Sequence, residues 1–195
     1  MTIYSKRPSF IFGFHGCEKE IRDRIVFNKT EMKKSRNDYD WLGSGYYFWE
    51  NNQRRAMLFA EEKQKRGEIK IPAVLGAFID LGHCLDLLDS YYLEDLKDTY
   101  KNLKTSLELI GKQLPVNKAI PPTNDLIFRY LDCAVIQAHV ENSPYPFEYD
   151  SVRGVFWEGA DLYPGAGMKE KNHIQICVRN INCIKGFFIP REQKP

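Results

Sequence analysis

The chain has 195 residues, of which 28 are Lys or Arg and 26 are Asp or Glu, and the net charge of +2 gives no strong electrostatic case for a nucleic-acid partner. The composition, 43% hydrophobic and 28% charged, is typical of a globular protein and excludes a largely disordered one. No apolar stretch approaches the roughly 18 residues that a membrane-spanning helix needs, and we expect a cytoplasmic protein.

The first predicted element is a strand. The segment "SFIFGFHG" (9–16) is an aromatic and β-branched run that closes on Gly16, which is typical of a buried strand ending in a tight turn. His15 is expected at the mouth of that strand. After a mixed loop, "YDWLGSGYYFWE" (39–50) supplies six aromatic residues and two glycines, and it predicts a second strand.

The remaining predicted elements mix helices and strands. In chain order they are a helix capped by Asn51 or Asn52 and stopped at Gly67, a buried strand in 71–82, a helix within 84–114, a helix capped by Thr123 or Asn124 with an apolar stripe from Leu126 to Ala138, and strands in 151–157, 173–180 and 183–190. This order predicts one α+β domain over residues 1–195 with a largely antiparallel β-sheet core and flanking helices.

Two short stretches in the first quarter of the chain have residue types that suit a binding site. An imidazole at a strand end, as expected for His15, can offer a hydrogen bond to a ligand, while Gly16 lets the ligand touch the backbone. Gly43 and Gly45 allow a close approach just before the rings of Tyr46 and Tyr47. The alternatives are a hydrogen-bonded core histidine and an ordinary aromatic strand.

A third stretch, "HIQICVRN" (173–180), carries a polar side chain on an apolar strand. Because strand residues alternate between faces, Gln175 shares a face with Cys177 and lies opposite Ile174 and Ile176. Gln175 is therefore either part of a site or a residue on the solvent side of the sheet.

The three stretches together resemble the ADP-ribosyltransferase superfamily, in the branch typified by diphtheria toxin and the poly(ADP-ribose) polymerases, which is known by a His-Tyr-Glu triad on three strands. The matching segments are "FHG" (14–16), "GSGYYF" (43–48) and "QICVRNINCIKGFF" (175–188). The resemblance places the triad on His15, Tyr47 and Gln175, with Gln where the family has Glu. Residues 83–150 show no match. A split β-sheet is implied.

The resemblance further implies NAD as the substrate. The backbone of Gly16 would hold the carboxamide of nicotinamide and the ring of Tyr47 would pack on it, with Gly45 and Tyr46 beside them. The helix that follows would supply Phe59 as the second wall, because only an aromatic residue can stack on the ring. His15 would hydrogen-bond the ribose nearest adenine. No metal is expected.

Basic residues in "NKTEMKKSRNDYD" (28–40), of which Arg36 is our candidate, could cover the NAD pyrophosphate or form a solvated loop. Gln175 can hydrogen-bond a ribose but cannot act as a general base. A base could come from Glu158 or Asp161, in the segment that enters the Gln175 strand, and Glu158 is our candidate.

We therefore predict a mono-ADP-ribosyltransferase that moves one ADP-ribose from NAD to a protein or nucleic-acid acceptor, such as a toxin or phage-defence effector with an inhibitory antitoxin as a partner. The alternatives are an NAD glycohydrolase and a catalytically silent module that binds NAD or ADP-ribose. The five cysteines are odd in number and scattered, which predicts reduced, mostly buried thiols. A cysteine hydrolase using Cys17 or Cys133 has little support.

Overall fold

A computed structural model of the chain describes residues 10–121, 124–143 and 146–191. The strands are β1 (Ile11–Glu18), β2 (Tyr46–Glu50), β3 (Pro72–Ile79), β4 (Cys84–Asp86), β5 (Ser151–Phe156), β6 (His173–Val178) and β7 (Ile184–Phe188), and the α-helices are α1 (Lys19–Val26), α2 (Gln53–Lys65), α3 (Ser90–Leu109) and α4 (Tyr130–Glu141). The predicted α+β class is confirmed. No helix in the described ranges is long and apolar enough to cross a membrane.

The described strands form one seven-stranded sheet in the order β4-β5-β6-β2-β1-β3-β7. All neighbours are antiparallel except β4 and β5, which confirms the predicted, largely antiparallel sheet. Strands from the two ends of the chain meet in this sheet, because β6 lies beside β2 and β7 pairs with β3. The three motifs of the sequence are thereby brought into one sheet.

Each face of the sheet is covered by different helices. On the first, which we call the α1 face, Phe48, Leu75 and Ile176 pack with Ile25 of α1. On the other, the α2 face, Trp49 packs with Ala56 of α2, and Cys177 packs with Ile136 of α4. Alternation along β2 and β6 therefore places Tyr47, Trp49 and Gln175 on the α2 face.

The first strand does not end at Gly16, as predicted, but continues to Glu18, and α1 follows at once. The sequence analysis did not predict α1. The carboxylate of Glu18 accepts hydrogen bonds from the backbone N–H groups of Lys19, at 3.1 Å, and of Lys70, at 2.6 Å. This carboxylate therefore satisfies the start of α1 and ties it to a segment 52 residues further along the chain.

Other predicted element boundaries also differ from the structure. Helix α4 begins at Tyr130, because Lys118 and Phe128 exchange backbone hydrogen bonds of 2.8 and 3.0 Å that keep the preceding segment extended. Asn124 is therefore not its cap, and the other proposed cap, Thr123, lies outside the described residues, as does Ser9 of the first predicted strand. Strand β4 occupies the start of the segment predicted as a helix.

Candidate functional site

The three motifs lie on three adjacent strands, since β6, β2 and β1 are neighbours in the sheet. On β2 and β6, Tyr47 is opposite Cys177 and Trp49 is opposite Gln175. Residues that are 130 and 126 positions apart in sequence are thus direct neighbours on the α2 face.

Strands β1 and β2 pair only briefly and then diverge. Their last paired residues are Phe14 and Trp49, whereas β1 pairs with β3 along its whole length. The imidazole of His15 lies where this short ladder stops, and its Nδ1 is 2.9 Å from the carbonyl oxygen of Tyr47. We call the opening beyond Phe14 and Trp49 the β1–β2 wedge.

The backbone of Gly16 faces this wedge. The carbonyl of Phe12 accepts a hydrogen bond of 2.9 Å from the N–H of Asn51, so the even-numbered residues of β1 direct their backbone groups toward β2. Gly16 lies two residues beyond Phe14, the last residue of β1 that pairs with β2, and its N–H and C=O therefore point into the wedge. A ligand carboxamide could pair with both groups there.

His15 lies inside the strand, on the α1 face, and the prediction that it sits at a strand mouth is wrong. Its ring is 6.1 Å from that of Phe48. Burial lowers the pKa of His15 to about 4, so the imidazole is neutral at physiological pH. Because Nδ1 donates to Tyr47, the neutral ring presents Nε2 as a hydrogen-bond acceptor.

Tyr47 offers a ring face but no free hydroxyl. Its hydroxyl donates to the carbonyl of Gly43 at 2.5 Å and accepts from the N–H of Leu42 at 2.9 Å. Burial raises the pKa of this phenol well above its usual range, so it stays protonated. Its hydroxyl therefore fixes the preceding turn, and alternation places the ring of Tyr46 in the core of the opposite face.

The two glycines of the second motif serve packing within the protein. A Cβ at Gly45 would lie 2.3 Å from Sγ of Cys177. Gly43 has φ +77°, a left-handed conformation that favours glycine, and a Cβ there would lie 2.5 Å from Oε1 of Gln137. The motif thus needs both glycines to seat its turn on β6 and α4.

Gly16 lets α2 pack closely on β1. A Cβ at this position would lie 2.2 Å from the carbonyl oxygen of Ala56, a backbone atom that cannot move cheaply. We expect Gly16→Ala to lower the free energy of unfolding by about 1–3 kcal/mol, measured by urea denaturation. Gly186→Ala is the matched control, because a Cβ there meets nothing within 4 Å. Equal stability of the two variants would contradict this packing.

The proposed base and its alternative lie in different environments. Glu158 is 7% exposed, and its carboxylate accepts a hydrogen bond of 3.1 Å from Nη2 of Arg55. Burial raises the pKa of Glu158 even though the charge of Arg55 opposes the shift. Nδ1 of His173 is 3.6 Å from the same carboxylate. Asp161, in contrast, is exposed and ion-paired with Lys169.

Comparison with known proteins does not identify a relative. No protein-family model matches the chain, and searches of curated proteins and of solved structures find no match either. The candidate site therefore rests on the geometry of this chain.

Two residues that were predicted to contact NAD, Phe59 and Arg36, lie at the periphery of the candidate site. The ring of Phe59 packs on Trp49 at 5.0 Å, so Trp49 occupies the space between β2 and this wall. Arg36 is exposed, and it follows Ser35, whose backbone exchanges hydrogen bonds with Gly45. The basic loop is thus anchored to the second motif, and the side chain of Arg36 extends into solvent.

Sequence reasoning missed five residues that contact this site, namely Trp41, Trp49, Arg55, Arg129 and His173. Three of them carried a usable signal. Period-2 alternation places Trp49 on the face of Tyr47 and His173 on the face of Gln175, and Arg55 precedes Ala56 on a helix already assigned to the site. Trp41 lies in the segment before β2, and Arg129 lies just before α4, inside the region 83–150 that shows no match. Neither residue belongs to a helix or strand of the structure, so strand or helix periodicity does not place its side chain at the site.

The thiols do not favour the cysteine-hydrolase alternative. All five cysteines are reduced thiols and are buried, as predicted. Burial raises the pKa of both Cys17 and Cys133 to about 11, so neither is a thiolate at neutral pH. Within the described ranges, no group of three or more potential ligands could hold a metal ion.

His173 makes stability depend on pH. Burial lowers its pKa from 6.5 to about 4, so below pH 6.5 the unfolded chain takes up a proton that the folded protein does not. We expect the free energy of unfolding to fall by about 2 kcal/mol more between pH 7 and pH 5 than it does in His173→Asn. Glu158 titrates in both proteins and largely cancels. Urea denaturation with equal losses in both would contradict this.

Proposed function

We propose that this protein is a mono-ADP-ribosyltransferase that cleaves NAD between nicotinamide and ribose and transfers one ADP-ribose to a macromolecular acceptor. The observation that carries the proposal is the β1–β2 wedge. Gly16, Tyr47 and Gln175 come from three distant segments that resemble this superfamily, and they lie on three adjacent strands. The strands of Gly16 and Tyr47 border the opening, and Gln175 lies on β6, on the other side of β2. The resemblance implied a split sheet, and the early end of the β1–β2 ladder within the seven-stranded sheet supports that expectation.

The wedge suits the nicotinamide end of NAD. The carboxamide would pair with the backbone N–H and C=O of Gly16, and the ring would pack against Tyr47. Nε2 of His15 would accept a hydrogen bond from a ribose hydroxyl, which requires the neutral imidazole that burial provides. These contacts hold the bond to be cleaved in a fixed place, which lowers the entropic part of the barrier.

Cleavage passes through an oxocarbenium-like state, in which the bond from the ribose C1′ to the nicotinamide nitrogen breaks and its electron pair leaves with nicotinamide. The amide oxygen of Gln175 would accept a hydrogen bond from a ribose hydroxyl and stabilise the developing positive charge. An acceptor nucleophile then forms the new bond to C1′ and gives up its proton. Gln175 cannot take that proton.

Glu158 is the group that we assign as the proton acceptor. It contacts His173, which precedes Gln175 by two residues on the same face of β6, so the carboxylate lies on the correct side of the sheet. Its raised pKa makes it a stronger base than an ordinary glutamate once it is ionised. A single proton acceptor, located away from residue 175, is more consistent with the transfer of one ADP-ribose than with the formation of a polymer.

The proposal is tested by incubating the purified protein with NAD labelled in its adenine ring, with and without cell lysate freed of small molecules. We expect nicotinamide release that rises with lysate, and label on a macromolecule. Digestion with protease or nuclease then distinguishes a protein from a nucleic-acid acceptor. Label recovered only as free ADP-ribose would make the protein a glycohydrolase, and NAD binding without release would make it a binding module.

A further inference from the structure

The side chains around His173 form a buried cluster on the α2 face. The rings of Trp41 and Trp49 are each 6.2 Å from its imidazole and that of Phe156 is 5.8 Å away. The guanidinium of Arg55 lies over Trp49 at 5.4 Å, and that of Arg129 lies over Trp41 at 4.4 Å. We call these six residues the His173 cluster. Its two cations are thus held against aromatic faces.

Five buried polar atoms in this cluster have no hydrogen-bond partner, and they account for every such side-chain atom in the part of the chain that the structure describes. They are Nε1 of Trp49, Nε and Nη1 of Arg55, Nε of Arg129 and Nε2 of His173. Arg55 and His173 are 6% and 5% exposed, respectively. Because buried polar groups are almost always paired, their concentration at one place indicates a binding site.

The unpaired atoms define the chemistry of the missing partner. Four are N–H donors, and two of those belong to one guanidinium. Nε2 of His173 is the single acceptor, because Nδ1 donates to the carbonyl of Lys171 at 2.7 Å. Such a site needs a group with several acceptor oxygens and at most one hydroxyl. Phosphate and diphosphate groups fit this description, and guanidinium groups bind them well.

Charge limits the affinity of such a site without excluding it. Each guanidinium already has one carboxylate partner, Glu158 for Arg55 and Asp132 for Arg129, both at 3.1 Å. The side chain of Asp132 is 37% exposed, so solvent screens its charge. An incoming phosphate would therefore meet uncancelled positive potential mainly at Arg129.

We propose that the His173 cluster is a phosphate-binding site. It lies about 7 Å along β6 from Gln175, so one source of phosphate is the diphosphate of NAD, an assignment that rests on the proposed function. The other source is a free phosphate compound that acts independently of NAD. Both sources would use the same donors. The site would replace the exposed Arg36 as the main phosphate contact.

The indole N–H of Trp49 gives a direct reading of this site by ¹⁵N NMR. The three tryptophans are distinct, because Nε1 of Trp41 donates to Ile127 and Trp157 is 64% exposed. The Trp49→Phe variant identifies the resonance by its loss. We expect the Trp49 signal to move downfield on addition of inorganic pyrophosphate or ADP-ribose, and not with nicotinamide, while the Trp157 signal stays in place.

The titrations distinguish the sources. If the Trp49 signal moves at lower concentrations of ADP-ribose than of pyrophosphate, the natural ligand of the site is the diphosphate of NAD. If pyrophosphate binds equally tightly or more tightly, the natural ligand is a free phosphate compound. Arg129→Gln should weaken the binding of either by about tenfold, whereas Arg66→Gln, an exposed control, should not change it. The proposal would be overturned if the Trp49 resonance did not shift with either phosphate compound, or shifted only with nicotinamide.

Failure of this site and failure of the proposed function give different results. Transfer of label from NAD to a macromolecule with an unmoved Trp49 signal would support the transferase and overturn the phosphate site. Movement of the Trp49 signal by pyrophosphate without any nicotinamide release would establish the phosphate site and overturn the transferase.

Discussion

Replacing Glu158 by Gln is expected to slow nicotinamide release from NAD by about 100-fold or more in the presence of an acceptor. The amide keeps the size of the side chain and can still accept the hydrogen bond of Arg55, so the fold should survive. What it loses is the ability to take a proton. Release is measured by chromatography under saturating acceptor, with circular dichroism as the check on folding.

Glu62→Gln is the matched control for this change. Glu62 lies on α2 and binds Lys171, so it contacts the same loop that carries Glu158, but its side chain is 33% exposed. We expect its activity to stay within about twofold of that of the unmodified protein, as is usual for a surface substitution. Full activity in Glu158→Gln would remove Glu158 from the mechanism.

The pH dependence of release gives an independent test of the same residue. A base works only when it is ionised, so kcat/KM should decline as pH falls through the pKa of Glu158, which burial raises above that of an ordinary glutamate. This decline should be absent from the residual activity of Glu158→Gln. An identical profile in both proteins would assign the titration to another group.

The parts of the fold that could be predicted from the sequence are those fixed by interactions between residues close together along the chain. The alternation of Ile176 and Cys177 between two cores was predicted because the period of a strand is local. Asn52 was predicted as a helix cap, and its side chain does accept from the N–H of Arg55. Helix α1 was missed because the carboxylate that fixes its start is tied to Lys70, far along the chain.

The same limit applies to the site. His15, Tyr47 and Gln175 were selected from short motifs, and the structure places them on neighbouring strands. Arg55 and Glu158 are 103 positions apart in sequence, and no pattern in either segment predicts their ion pair. The resemblance identified the strands that carry the site. The groups that set the charge and the pKa values around these strands are brought there only by folding, from segments that are distant in sequence.

Replacing Arg153 by Met is expected to lower the free energy of unfolding by about 3–5 kcal/mol at pH 7, which is the largest loss of stability that we anticipate. Arg153 is 4% exposed on β5, and its guanidinium binds Glu50 and Asp86, each with an N···O distance of 3.1 Å. Met fills a similar volume but leaves two carboxylates buried without this cation. Urea denaturation measures the loss.

The cause of that loss is separable from a packing defect. Combining Arg153→Met with Glu50→Gln and Asp86→Asn removes the buried negative charges, and we expect most of the lost stability to return. A loss of stability that is equally large in the triple variant would indicate lost packing instead.

A large, charge-dependent deficit would have a structural meaning beyond stability. Glu50 ends β2, Arg153 lies in the middle of β5 and Asp86 ends β4, so the ion pairs cross β6 and hold four strands in register on the α1 face. Opposite them, on the α2 face, the same strands carry Trp49 and Gln175. A one-residue slip would exchange the two faces, and buried charges resist such a slip far more strongly than apolar side chains do. The Arg153 network would therefore keep the site residues on the α2 face.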